Sequence, residues 1–279
     1  MSSWMQDQNL ANKVISIARG AGEIILKHYN HYRDRIDVEF KEDSSPVTIA
    51  DKESSQYILE RLPYAVSGSH IPMVCEELDD TQNAEIIKSS ELYWLVDPLD
   101  GTKGFIKRDG TFTINIALIS AGQPVFGLLY LPLSDETYFA LDGKSYYRLA
   151  EGKDKPIYND RSRDDLHMLA SHHHRTGLTI KVLEAMPEHR LTTISSAVKF
   201  CMMAKGEANF YVHMGPTSIW DTAAGQAIVQ GAGCRVWTRA PDHQFDYSSG
   251  NLENPQFLVY QETCEDLLEV AKHVLTEAR

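Results

Sequence analysis

The sequence predicts a layered α/β (α+β) protein in which two helices cover a mostly antiparallel sheet in the first half and short strands alternate with helices in the second. Three observations predict it. Apolar residues recur at helical spacing near the start, alternating and apolar runs flank a tight turn between residues 112 and 131, and beyond about residue 165 short apolar runs alternate with longer helical patterns.

Leu10, Val14, Ile17, Ala18, Ala21, Ile24 and Ile25 form the stripe of an amphipathic helix over about 5 to 30. After the extended piece Val38-Glu39-Phe40-Lys41 and Ser45-Pro46-Val47-Thr48, a second helix runs from about Ile49 to Leu62, with Thr48 as its N-cap and Asp51 in its first turn. Phe112 to Ser120 and Val125 to Leu131 are separated by Ala121-Gly122-Gln123-Pro124 and read as a hairpin. Strands follow at about 137 to 141 and 145 to 149 around Asp142-Gly143. The polar stretch Glu151 to Asp165 is the natural boundary between subdomains of residues 1–155 and 156–279. Later strands are expected near 168–170, 191–194, 208–212, 235–237 and 257–260, with helices near 176–186, 196–204, 218–231 and 264–276.

With 279 residues and 43% hydrophobic content, the chain can bury a full core. No stretch reaches the ~18 apolar residues of a membrane helix. The opening Met1-Ser2-Ser3-Trp4-Met5-Gln6-Asp7 lacks the order of a secretory signal. Cys75, Cys201, Cys234 and Cys264 lie far apart, without a C-x-x-C pair, and are expected to be free, mostly buried thiols. A cytoplasmic protein is the expectation, with peripheral association at the inner face of a membrane left open and a monomer preferred. The net charge of −12 speaks against a nucleic-acid partner, so a bound polyanion needs a local reversal of sign.

The densest chemistry is Trp94-Leu95-Val96-Asp97-Pro98-Leu99-Asp100-Gly101-Thr102-Lys103-Gly104-Phe105, a short apolar strand running into a turn with two carboxylates. Pro98 turns the chain and Gly101 permits a conformation that other residues resist, so Asp97 and Asp100 can face one point. Two carboxylates about 4 Å apart repel by ~4 kcal/mol at an effective dielectric near 20, which favours a proton or a divalent cation between them. An oxygen-only donor set suits Mg²⁺. Cys75-Glu76-Glu77 follows another apolar run, and Asp51 and Asp221 each stand at a helix start. Taken singly, Asp51 and Asp221 are helix-start residues favoured by the dipole, and Ser218-Ile219-Trp220-Asp221 matches a capping box. Their order and flanks together are what is specific. The sequence has no phosphate-binding G-x-x-x-x-G-K-[ST] loop, no G-x-S-x-G elbow and no H-E-x-x-H.

Asp97-Pro98-Leu99-Asp100-Gly101-Thr102, Trp220-Asp221-Thr222-Ala223-Ala224-Gly225 and Cys75-Glu76-Glu77 resemble the signatures of the inositol-monophosphatase superfamily, over almost the whole chain. The resemblance implies an αβαβα sandwich and a Mg²⁺-dependent, lithium-sensitive phosphatase with two or three ions. By it, Glu76, Asp97 and the Leu99 carbonyl would hold one metal, and Asp97, Asp100 and Asp221 a second. A third, weaker ion would lie near Glu76. Residues 1–155 would then carry most ligands, and residues 156–279 would carry Asp221 and the nucleotide contacts. Asp51 and Thr102 match the pair that orients and deprotonates the attacking water, while Gly101 and Thr102 amides would cradle phosphate oxygens.

Lys103, Ser195-Ser196-Ala197-Val198-Lys199-Phe200-Cys201 and Gly215 to Asp221 resemble the bacterial CysQ-type 3′(2′),5′-bisphosphate nucleotidases. The implied reaction removes the 3′-phosphate of adenosine 3′,5′-bisphosphate, and of its sulfated analogue. Ser196 and Lys199 would hold the 5′-phosphate and His172 would touch the nucleotide. The His172-His173-His174 run also suits a solvated loop or an adventitious metal patch. Two departures stand out: Gly104 where many bacterial relatives carry glutamate, and His213 where an arginine is expected beside the nucleotide. The rival readings are a phosphatase of inositol monophosphate or another small ester, and a non-catalytic Mg²⁺ and nucleotide sensor.

Overall fold

A computed structural model describes residues 8–31, 38–40, 46–162, 164–172 and 176–277. The elements in order are α1 (Gln8–His31), β1 (Val38–Phe40), β2 (Pro46–Thr48), α2 (Ile49–Leu59), β3 (Met73–Cys75), α3 (Asp80–Ser89), β4 (Leu92–Asp100), α4 (Thr102–Lys107), β5 (Thr113–Ser120), β6 (Gln123–Leu131), β7 (Glu136–Leu141), β8 (Lys144–Leu149) and β9 (Lys155–Ile157). The second half adds β10 (His167–Ser171), α5 (Gly177–Glu184), β11 (Arg190–Ile194), α6 (Val198–Ala204), β12 (Phe210–His213), α7 (Ile219–Gly231), β13 (Cys234–Thr238), β14 (Phe257–Gln261) and α8 (Glu265–Glu277).

Among the described residues, strands β3 to β9 form one seven-stranded sheet in chain order, with a parallel β3–β4 pair and antiparallel neighbours thereafter. A five-stranded sheet has the order β11-β10-β12-β14-β13 and is parallel around β10, antiparallel around β14. Helices α1 and α2 cover one face of the larger sheet, α6 and α7 lie between the sheets, and α5 and α8 cover the far face of the smaller one. The five layers expected from the sequence are therefore present. Three apolar clusters fill the interfaces, centred on residues such as Val14, Trp94 and Phe126 (outer), Phe200, Ala224 and Ile228 (middle), and Met168, Leu258 and Leu268 (far side). All four cysteines are buried, and none is in a disulfide.

Several boundaries differ from the sequence expectation for local reasons. Helix α2 stops at Leu59, and Leu62–Tyr64 is a separate 3₁₀ turn, because Pro63 lacks an N–H and restricts the residue before it. Helix α6 begins at Val198 because Ser196 is left-handed, at φ 54°. Strand β6 includes Gln123 and Pro124, with a register shift between Leu118 and Ile119 absorbing the proline. Helix α3 and strand β9 were not expected. The helix buries only Asn83 and Ile87, so it shows no apolar stripe. Residues 1–7, Lys41, Ser45, His173 and His174, which figure in the sequence reading, lie outside the described residues.

The approach of α7 to the larger sheet positions the site, since Asp221 stands in its first turn. Gly127 on β6 makes that approach possible: a Cβ there would meet the Ala224 carbonyl oxygen at 2.5 Å and the Ala227 methyl at 2.9 Å. Gly127→Ala is expected to lower stability by about 1–3 kcal/mol, the usual range for overpacking, because backbone has to move. A shift in the denaturation midpoint with phosphatase activity measured in parallel checks it; an unchanged midpoint contradicts the packing role.

Candidate metal-dependent active site

Asp97 and Asp100 leave the end of β4, and their convergence depends on one extra residue. Asp97 pairs with Asn115 and Asp100 with Thr113, so three steps on β4 oppose two on β5. In a regular strand residues three apart face opposite sides; the bulge at Pro98-Leu99 restores the same side. Gly101 then takes φ 95°, and a Cβ there would meet the Thr111 carbonyl oxygen at 2.6 Å and the Ser196 Cβ at 3.0 Å. Glycine is required there by both backbone and space. Ser54 on α2 secures the bulge by donating to the Pro98 carbonyl at 2.9 Å.

Asp221 comes from the opposite layer. Its Oδ2 accepts from the Ser218 N–H at 2.7 Å, so the helix cap also fixes the rotamer of a site residue. Asp97, Asp100 and Asp221 each offer a carboxylate oxygen within 4.8 Å of the others. Asp97 is only 1% exposed. Burial raises its pKa well above the ordinary carboxylate value, and the charges of Glu76, Asp100 and Asp221 raise it further. Asp221 is likewise raised by burial, then by Asp100 and Glu76. Burial also raises Asp100, against the opposing effects of Lys199, Asn115, the Ala197 N–H and Thr113. A buried all-oxygen set that resists carrying its own charge fits a hard divalent cation.

Glu76, Asp97, Leu99, Asp100, Thr102 and Asp221 line one cavity of about 350 Å³. Gly101, Lys103, Ser196 and Lys199 complete the expected residues on its wall. Asp51 stands behind Thr102, whose hydroxyl is 2.9 Å from Asp51 Oδ1 and 3.2 Å from the Leu99 carbonyl. Asp51 Oδ2 accepts from the Thr48 N–H at 2.8 Å and hydroxyl at 2.6 Å. Burial raises the Asp51 carboxyl to about 7, against the hydrogen bonds from Thr48 and Thr102.

Lys199 is 3% exposed, and its ammonium donates to the carbonyls of Ile194 at 3.0 Å and Ser196 at 2.6 Å. Burial lowers it to about 8, while Asp100 and Asp221 oppose that shift. A buried ammonium thus places a local positive charge on the wall of this cavity in an acidic chain. His172 is exposed and not on the cavity wall, which Ser171 forms at that point. His213 is buried, stacked on Phe257 at 5.0 Å, with Nδ1 3.1 Å from the Tyr211 hydroxyl. It packs as part of the wall.

Sequence reasoning missed the groups that hold Asp100. Asn115 Nδ2 donates to its Oδ2 at 3.2 Å, the Thr113 hydroxyl at 3.4 Å and the Ala197 N–H at 2.6 Å. Thr113 and Asn115 are polar residues two apart in an apolar strand, a pattern that could have marked them.

The family model for the inositol monophosphatase family matches residues 6–273, and the chain belongs to that family. Within it, the chain is 39% identical to the 3′(2′),5′-bisphosphate nucleotidase CysQ of Escherichia coli (strain K12) over 253 residues, covering 90% of this chain and 99% of the relative. It is 41% identical to the nucleotidase of the same name from Salmonella typhimurium over 227 residues, 81% of this chain and 89% of the relative. The crystal structure of CysQ from Bacteroides thetaiotaomicron superposes with a TM-score of 0.78 at 32% identity, covering 91% of this chain and 98% of that one. Phosphatases of this family are metal-dependent, in keeping with the acidic cluster.

The raised carboxyls set a pH dependence. A raised folded pKa gives stability that is fully present below the unfolded value and lost as pH rises through the folded one, for Asp51 from 3.8 to about 7. A cation on the deprotonated cluster offsets that loss. The gain in Tm on adding Mg²⁺ to chelator-treated protein is therefore expected to be larger at about pH 8 than at about pH 5. Calorimetric scans at the two pH values check this; an equal gain contradicts it.

Proposed function

We propose that this protein hydrolyses the 3′-phosphate of adenosine 3′,5′-bisphosphate to AMP and phosphate, and acts in the same way on the sulfated analogue, with Mg²⁺ as its cofactor. The convergence of Asp97, Asp100 and Asp221 in front of the Asp51–Thr102 pair, beside the buried Lys199, carries the reading. The names of the relatives that cover nearly the whole chain support the substrate.

Glu76, Asp97, the Leu99 carbonyl, Asp100 and Asp221 would hold two or three ions. When bound, Mg²⁺ supplies Lewis-acid neutralisation of the phosphate and lowers the pKa of water. The protein's own groups do the rest. The Thr102 hydroxyl donates to Asp51, so its oxygen lone pairs are left to accept a proton from the attacking water while its own proton passes to Asp51. A carboxyl near pH 7 suits that task. As the water oxygen bonds to phosphorus, the bond to the 3′-oxygen breaks, and that oxygen takes a proton from water in the cavity to leave as a hydroxyl. The Gly101 and Thr102 amides, with Lys103 at the exposed mouth, receive the scissile phosphate. Ser196 and Lys199 receive the 5′-phosphate, and His172 meets the part of the nucleotide that extends past Ser171.

Phosphate release from adenosine 3′,5′-bisphosphate and from inositol 1-phosphate, with and without Mg²⁺, tests the reading. At least about tenfold higher kcat/KM for the nucleotide is expected, with no turnover after chelation. The opposite preference replaces it with the inositol phosphatase reading. Asp51→Asn is expected to lower kcat by about 10²–10⁴, the range of general-base catalysis, with the Mg²⁺-dependent gain in Tm retained. Asp100→Asn is expected to lose turnover with the fold intact by circular dichroism; near-normal activity contradicts its role.

A further inference from the structure

A second cavity, of about 680 Å³, opens where α7 meets β13 and the segment after it. Its polar wall is made largely of amides: Gln226 and Gln230 on successive turns of α7, Gln123 at the start of β6, and Gln244. Trp237 and His243, with ring centroids 5.3 Å apart, form an aromatic side. None of these residues lines the catalytic cavity.

Gln226 is the informative group. It is 7% exposed, and its Oε1 accepts from the Tyr247 hydroxyl at 2.9 Å. Its Nε2 makes no hydrogen bond among the described residues, although the residue lines the cavity. That donor is open to the cavity rather than sealed in the interior, so a ligand there can take the place of water on it. The Trp237 Nε1–H at the same wall is also without an acceptor among the described residues.

The charges of the wall do not favour an anion. Arg235 is committed to Glu262 at 2.8 Å, which leaves the Asp242 carboxylate as the unbalanced charge of the wall. Amide edges beside aromatic rings match an uncharged heteroaromatic ligand, and the side-by-side donor and acceptor of glutamine pair with the N6/N7 edge of adenine.

The Gln226 contact also leads to the catalytic cavity. The Tyr247 hydroxyl that donates to Gln226 is 3.2 Å from the Thr222 hydroxyl, and Thr222 lines the catalytic cavity next to Asp221. Asn254 Nδ2 bridges Thr222 at 3.0 Å and the carbonyl of Ser218, the residue that caps α7. We propose that the second cavity is a binding site for a neutral purine, the free base or its nucleoside, and that its occupancy is coupled to the catalytic cavity through Gln226, Tyr247 and Thr222.

Adenosine, which has no phosphate to lose, is the probe, titrated calorimetrically into the Mg²⁺-loaded enzyme with inorganic phosphate present, and ribose is the control. Gln226→Glu keeps the acceptor for Tyr247 and removes the donor; Gln230→Ala changes only the exposed rim. The expected result is one site for adenosine, none for ribose, and affinity lowered about tenfold or more in both variants. Adenosine is also expected to change kcat for phosphate release in the wild type and to lose that effect in the variants, as linkage requires. No binding up to millimolar adenosine, binding unchanged in both variants, equal binding of ribose, or purely competitive inhibition of turnover overturns the proposal. The calorimetric arm does not depend on which phosphate ester the enzyme hydrolyses.

Discussion

Mutual repulsion among carboxylates gathered at one cavity is the constraint on which the rest of this structure depends. Asp97, Asp100 and Asp221 converge within 4.8 Å in a setting where burial alone opposes their ionisation. Without a cation, charge there is relieved only by protons or by neighbouring donors. The fold supplies donors unevenly. Asp100 is surrounded by Asn115, Thr113 and the Ala197 N–H and lies near Lys199, whereas Asp97 receives the Leu99 N–H at 3.0 Å and faces other acids. That asymmetry leaves the cluster short of positive charge at its centre, in keeping with a family of metal-dependent phosphatases.

Ordinary secondary-structure devices do the positioning. The reciprocal caps of α2 and α7 use Asp51 and Asp221 to satisfy amides at helix starts, and the same bonds hold each carboxylate toward the site. The bulge in β4 turns Asp100 to the side of Asp97. Each acid is thus held by a backbone amide or by neighbouring side chains rather than by chain flexibility, which keeps reorganisation small when charge develops. Because α7 carries Asp221 and Thr222 at one end and Gln226 and Gln230 further along, a single helix joins the catalytic cavity to the second cavity.

Much of this was legible in the sequence. The strand and turn from Trp94 to Thr102, the caps at Thr48 and Ser218, and the hairpin around Gly122 are local patterns, and local patterns survive into the fold. Helix α3 was not legible, because it turns only Asn83 and Ile87 inward. The burial of Lys199 was not legible either: one lysine in a helical stretch is usually solvated, and it is the carbonyls of Ile194 and Ser196, the Tyr211 ring at 5.5 Å and the nearby Asp100 and Asp221 that explain its place inside.

By itself the sequence determined which acids stand at element ends, where the chain turns, and the family whose signatures those acids carry. Tertiary structure alone decided that Asp221 reaches Asp97 and Asp100, that Asn115 and Thr113 face Asp100, and that Gln226 opens on a second cavity. The physical reason is range. Capping, turns and periodicity act over a few residues, whereas convergence of side chains from different layers depends on sheet register and on how closely α7 packs over Gly127, which no local pattern encodes.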